Sequence, residues 1–417
     1  MSNRTWSLRL QNASILLYVL WLLLPAVQAT GRAASGALCV ALFGLGLLLD
    51  VETLKTCWKE LLLRALCAAL MPLLLRRFLN RGGDNFWGYY VQQGMFWFPL
   101  VFAGHVRRRG DKRAWQYLKW ALLLAVTLTT LTTIGWLIQG MLRGGRVYAY
   151  SRSLGYAGEG REAYLRELML RNIGGYDFIY ASVLNLPLLC IAIQRHGGWR
   201  RMGYSALLAA QFVMIVLSQY TYAMLYAAAI LAVEAVAALA RRISHGRLKM
   251  GPSLLIGLAP LVLVVLLRYP LLSLAQSLCR QFGMEHFAFS LEQLQTALLG
   301  GTTSQDSRLG YYLTALEGFR RSPLVGRLLG GEALLSGHSE LLDLLSGMGL
   351  MGTALAGGMV RLMGRGTLKG LRTSPHRAQL GVMFAALLVI AALGTVCYSR
   401  DISTVAALGA LLVLEEA

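Results

Sequence analysis

The residues best suited to chemistry in this chain are a set of arginines and one histidine. Arg308 closes the stretch Ser304-Gln305-Asp306-Ser307-Arg308. Arg320 and Arg321 follow one short helix later, just before Ser322-Pro323, and Gly337-His338-Ser339 stands at the head of a long apolar run. A second group, Arg161, Arg166 and Arg171, lies upstream with Arg143, Arg146 and Arg152. A guanidinium is planar, keeps its charge at any relevant pH and matches phosphate oxygens in pairs. A helix start adds free N–H groups and the positive end of a dipole. Arg308, His338 and the helix start after Gly337 together point to an anion site, with the two arginine groups suited to phosphate.

Each residue also has a quieter reading. Arg308 reads equally as a solvated residue beside a helix cap formed by Asp306 or Ser307. Arg320 and Arg321 suit lipid headgroups and Arg327 suits loop surface, and His338 suits packing at an interface. The upstream arginines suit a solvated face, since Glu159, Glu162 and Glu167 offset half their charge. No histidine has a carboxylate or a second histidine at ligand spacing, so no metal centre is expected. The six cysteines (39, 57, 67, 190, 279 and 397) form no CxxC pair and read as small packing residues.

The elements that must position these residues are membrane helices. Of the 417 residues 56% are hydrophobic and 14% charged, against about 25% charged in soluble domains. The net charge of +20 comes in short basic clusters between apolar runs, which excludes a nucleic-acid-binding surface and fits the positive-inside pattern. About twelve spans can be drawn, near 13–29, 33–49, 61–79, 85–104, 114–139, 176–194, 203–218, 221–240, 252–267, 340–360, 378–397 and 402–414. Val27-Gln28-Ala29 resembles a signal-cleavage site, but a retained first span is expected because more spans follow.

With these spans the basic clusters at 107–113, 195–201, 241–249 and 361–377 fall on one side, together with Lys55, Lys59, Lys112, Lys119, Lys249 and Lys369. That side is expected to be cytoplasmic, with both termini. The expected fold is all-α: one polytopic transmembrane helical bundle over 1–417, with long outer loops at 141–175 and 268–338. Loops of that length are usually functional or disordered. Helical periodicity within them predicts amphipathic helices, with Tyr164, Leu165, Leu168 and Met169 on one face. Phe287, Leu291, Leu294 and Leu298 form another, and Leu309, Tyr312, Leu313, Leu316 and Phe319 a third. Glu234, inside the eighth span, is expected to face a partner, water or the cytoplasmic end.

The stretch 304–352 resembles the O-antigen polymerase and O-antigen ligase family of bacterial envelope glycosyltransferases. The matching residues are Arg308, Pro323-Leu324-Val325-Gly326 and Gly337-His338-Ser339, followed by Leu341, Leu342, Gly349, Leu350 and Gly352. The resemblance covers about fifty residues in detail; span number and the large loop before the tenth span extend it over the chain. It implies a membrane enzyme of GT-C-like fold in the bacterial cytoplasmic membrane. Such an enzyme moves a glycan from undecaprenyl diphosphate to an acceptor sugar hydroxyl, by an inverting route without metal or other cofactor. It further implies that Arg308 contacts the diphosphate and that His338 acts as a base or orients the acceptor. Partners implied are the lipid-linked oligosaccharide, membrane lipids, a chain-length regulator and a flippase. Ser218-Gln219-Tyr220-Thr221 lacks the arginine many ligases carry before the eighth span, and Ser339 replaces the commoner asparagine. Both departures favour polymerase over ligase. A transporter of lipid-linked glycans is the alternative from another class.

Overall fold

The computed structural model describes residues 3–79, 90, 97, 112–144, 162–243, 268–281, 288–289, 291–292, 295–296, 308–329, 334–365, 374, 376–394 and 399–409. All regular structure among them is helical. Among the described residues five helices are long and apolar enough to cross a membrane, six if one bent pair forms a single span. Four of the five match the expected fifth to eighth spans. They are α4 (Lys112–Gly144), α6 (Tyr176–Arg195), α7 (Gly198–Ser218) and α8 (Thr221–Ile243); the fifth, α11 (Glu340–Met363), is the expected tenth. Their outer faces present Trp120, Leu124, Leu131, Met351 and Leu355, each more than half exposed. A band of large apolar side chains on this scale is a surface for lipid rather than water.

Among the described residues the expected twelve spans are matched only in part. The expected spans at 85–104 and 252–267 lie outside the described residues, apart from Tyr90 and Trp97. Helix α3 (Val51–Leu79) contains the expected third span but carries Arg64, Arg76 and Arg77 within it. Helix α12 (Arg377–Leu393) is apolar but short, and the expected last span begins as α13 (Arg400–Thr404) and a π turn, Val405–Gly409. The expected first span at 13–29 is broken: α1 (Asn3–Leu23) gives way to the extended Leu24, Pro25 opens α2 (Pro25–Leu49), and the axis turns by 105°. Proline suits a first helical position and cannot continue the helix before it.

Between membrane helices the lipid leaves little hydrophobic drive, so close packing and polar contacts carry association. Ser7 Oγ donates to the Gly46 carbonyl at 2.6 Å and Ser14 Oγ to that of Cys39 at 2.5 Å, so α1 and the later part of α2 run antiparallel. The tight hairpin between the seventh and eighth spans is present, turning through Gln219 in the left-handed region (φ 52°). Phe178, Ile179, Leu184 and Tyr18 are wholly buried among α1, α6 and their neighbours.

Two contacts of α12 fix the ends of the bundle. At its start, Arg195 Nε donates to His376 Nε2 at 2.7 Å; His376 Nδ1 meets Gln379 Oε1 at 3.0 Å, and Gln379 Nε2 donates to Glu234 Oε2 at 3.1 Å. Glu234 thus has a polar partner near the basic end. At the other end, the Leu393 carbonyl accepts from Tyr312 Oη at 3.2 Å and the Gly394 carbonyl from the Glu340 amide at 3.1 Å. The helix between them rises about 25 Å.

Candidate functional site

The site is built from α10 (Arg308–Arg321), the turn after it and the start of α11. Helix α10 ends at Arg321, before Ser322-Pro323 as expected, because the residue before a proline is driven out of the helical region. Its apolar side buries Ala315 and half-buries Tyr312, Leu316 and Phe319; Leu313, expected on that face, is exposed.

The turn Pro323-Leu324-Val325-Gly326 plugs a break in α11. At Gly349 the backbone leaves the helix (φ 62°, ψ −173°). The freed amides are satisfied by the turn: Leu350 N–H donates to the Pro323 carbonyl at 2.9 Å and Met351 N–H to that of Leu324 at 3.0 Å. The two chains touch so closely that a Cβ on Gly326 would lie 2.5 Å from the Gly347 carbonyl oxygen. One on Gly349 would lie 2.5 Å from the Gly326 nitrogen. Both glycines also have positive φ, where a side chain is strained. The glycines read as a motif therefore have a shared structural cause.

The His338 turn is held from within. Asp343, wholly buried, accepts from the Ser336 amide (2.6 Å) and hydroxyl (2.7 Å) through Oδ1, and from the Gly337 amide (3.1 Å) through Oδ2. Ser336 Oγ in turn accepts from the amides of His338 (3.0 Å) and Ser339 (2.8 Å), filling the donor and acceptor capacity of one hydroxyl. Ser339 is the helix cap, its Oγ accepting from the Leu342 amide at 3.2 Å. Glu340 and Asp343 place two buried acids in the first turn, where the helix dipole favours negative charge.

The imidazole of His338 is half-buried, its ring 4.7 Å from that of Tyr311 and tilted by 51°. Tyr311 lies one turn, roughly 5 Å, along α10 from Arg308. Arg308 opens the helix one turn before Tyr311; its side chain lies outside the described residues. Arg320 is exposed, and Arg321 Nε donates to Glu317 Oε1 at 3.2 Å on the surface, a pairing worth about 0–1 kcal/mol.

Of the upstream arginines, Arg161 lies outside the described residues. Arg166 and Arg171 are exposed on or just after α5 (Glu162–Leu170), and Arg171 pairs with Glu167 at 2.5 Å. Of the face expected there, Leu168 is buried and Tyr164 is exposed. The segment is anchored through Asn172, whose Nδ2 donates to Thr129 Oγ1 at 3.1 Å and whose carbonyl accepts from Thr132 Oγ1 at 2.6 Å. It precedes α6 at Tyr176, the end opposite Arg195. Residues 162–175, Arg308 and His338 thus share the end of the bundle away from the basic contacts.

Tyr311 and Asp343 went unread in the sequence. Asp343 carried a signal, since a carboxylate in the first turn of an apolar span demands a partner. Tyr311 carried none beyond its place beside Tyr312. Among the described residues no group of three or more His, Cys, Asp or Glu is gathered to hold a metal.

Fold and site together define an all-helical protein with candidate membrane spans and a histidine–tyrosine site at one end of its bundle. Comparison with known proteins gives no match, whether to a family, a curated protein or a solved structure.

Proposed function

We propose that this chain is a GT-C-like glycan polymerase of the bacterial cytoplasmic membrane, with both termini cytoplasmic and about twelve spans in all. It transfers an undecaprenyl-diphosphate-linked glycan to an acceptor sugar hydroxyl at the outer face. The observation that carries the reading is the packing of Tyr311, in the first turn of the helix that Arg308 opens, on the ring of His338. In the proposed step the acceptor oxygen attacks the anomeric carbon, its proton passes to His338, and the carbon–oxygen bond to the diphosphate breaks with inversion. The leaving undecaprenyl diphosphate carries its charge away neutralised by Arg308, with Arg320, Arg321, Arg161, Arg166 and Arg171 drawing the anionic donor to this end. No metal or cofactor takes part in this step. The test is incubation of the purified protein with lipid-linked repeat units in detergent, where the reading expects products of increasing length.

One observation favours a second reading. The break of α11 at Gly349 is the kind of discontinuous helix that transporters use. Its freed amides are satisfied by the chain's own turn rather than left facing a cavity, which weighs towards the enzyme. A transporter would give no extension in detergent and activity only in sealed vesicles; an O-antigen ligase would extend only a lipid A core acceptor.

A further inference from the structure

A groove of about 720 Å³ opens between α4 and α7, on the flank of the bundle and at its basic end. Lys119, His196 and Arg200 line its mouth, and Trp120, Leu123, Leu131, Leu207 and Ala210 continue it along the two helices. No acidic residue is among its described lining residues. The mouth is ordered: Lys119 Nζ sits 5.8 Å from the Tyr204 ring centre, and the His196 ring packs 5.2 Å from the same tyrosine. His196 Nδ1 donates to the Ala192 carbonyl at 2.9 Å, which fixes the ring at the junction of α6 and α7.

The dimensions match one half of a bilayer. Lys119 to Leu131 is about 18 Å along α4 and Arg200 to Ala210 about 15 Å along α7, against roughly 15 Å for half the hydrocarbon core. Among the described lining residues the cations stand at the end the positive-inside pattern puts at the cytoplasmic interface, where basic pockets between helices receive anionic headgroups.

We propose that this groove is a binding site for an anionic phospholipid of the inner leaflet. The phosphodiester lies against Lys119 and Arg200, and an acyl chain runs along Leu123 and Leu131 towards Ala210. A free phosphate would use only the mouth and leave the apolar floor empty. The site is at the opposite end from His338 and stands independently of any glycan chemistry.

The experiment uses the purified full chain in neutral detergent. Phosphatidylglycerol, phosphatidylcholine and inorganic phosphate are titrated in turn, with binding read by native mass spectrometry and thermal unfolding. Phosphatidylglycerol is expected to bind about tenfold or more tighter than phosphatidylcholine, a preference that Lys119→Gln with Arg200→Gln reduces to about twofold or less. Ala210→Trp, which keeps the charges and obstructs the floor, is expected to weaken both lipids. Equal binding of the two lipids by the unaltered protein overturns the proposal, whether or not the variants fold. So does an undiminished preference in the double variant, or inorganic phosphate displacing the lipid.

Discussion

The Tyr311 ring lies 4.7 Å from the imidazole of His338, and this contact joins two segments that are far apart in sequence but form one site. Tyr311 belongs to α10, which Arg308 opens; His338 belongs to the turn capping α11. An aromatic pair of this kind contributes about 0.5–1.5 kcal/mol beyond its buried area, enough to hold one imidazole orientation without locking it.

Replacing Tyr311 should therefore separate ring from hydroxyl. Tyr311→Phe is expected to keep most of the transfer rate. Tyr311→Ala is expected to lower it about three- to tenfold, the rate equivalent of the lost pairing. Initial rates of chain extension by the purified variants check this.

Asp343 acts as a positioning residue, its carboxylate holding Ser336 and Gly337 in the turn that carries His338. Asp343→Asn keeps an acceptor for Ser336 but sets an amide N–H donor against the Gly337 N–H, losing one hydrogen bond to a charged group, about 1.5–3 kcal/mol. The expected outcome is a lower unfolding temperature together with a lower rate. Ser336→Ala, which removes the hydroxyl shared by His338 and Ser339, should show the same pairing of effects.

The close approach of Gly326 and Gly349 predicts strong destabilisation by Gly326→Ala or Gly349→Ala, since the added Cβ meets backbone rather than a movable side chain. The left-handed conformation alone costs roughly 1–2 kcal/mol, and the clash adds to it. Gly357→Ala, with nothing within 4 Å of the added carbon, should fold as the unaltered protein does. Thermal unfolding of the three variants in detergent distinguishes them.

Burial pushes the Cys279 thiol in α9 (Arg268–Gln281) above its ordinary pKa. Only the thiolate alkylates, so maleimide labelling at neutral pH is expected to be slow and to keep rising with pH beyond the range where an exposed thiol levels off. A labelling-rate profile against pH, compared with the denatured protein, reads this directly.

The sequence made the membrane class and the core helices legible because length, hydropathy and basic clusters are local properties. The spans from Lys112 to Ile243 and the α11 span appear close to where those patterns put them. The break at Leu24-Pro25 was legible in principle, yet a smooth apolar run across it hid a 105° bend. At the site, the residue types around His338 and Pro323-Gly326 were visible, but their mutual geometry was not. Nothing local says that the Pro323 and Leu324 carbonyls cap the amides freed at Gly349, or that Tyr311 rather than Tyr312 meets the histidine. Tyr312, counted on the apolar face, reaches the Leu393 carbonyl instead.

The most direct measurement is chain extension by His338→Ala and Arg308→Ala proteins, purified in folded form and supplied with lipid-linked repeat units in detergent. The account predicts a loss of about 10²–10⁴-fold on removing the base and a comparable loss without the arginine, with Arg308→Lys failing to restore a two-pronged contact to the diphosphate. Polymer of normal length from both alanine variants contradicts it.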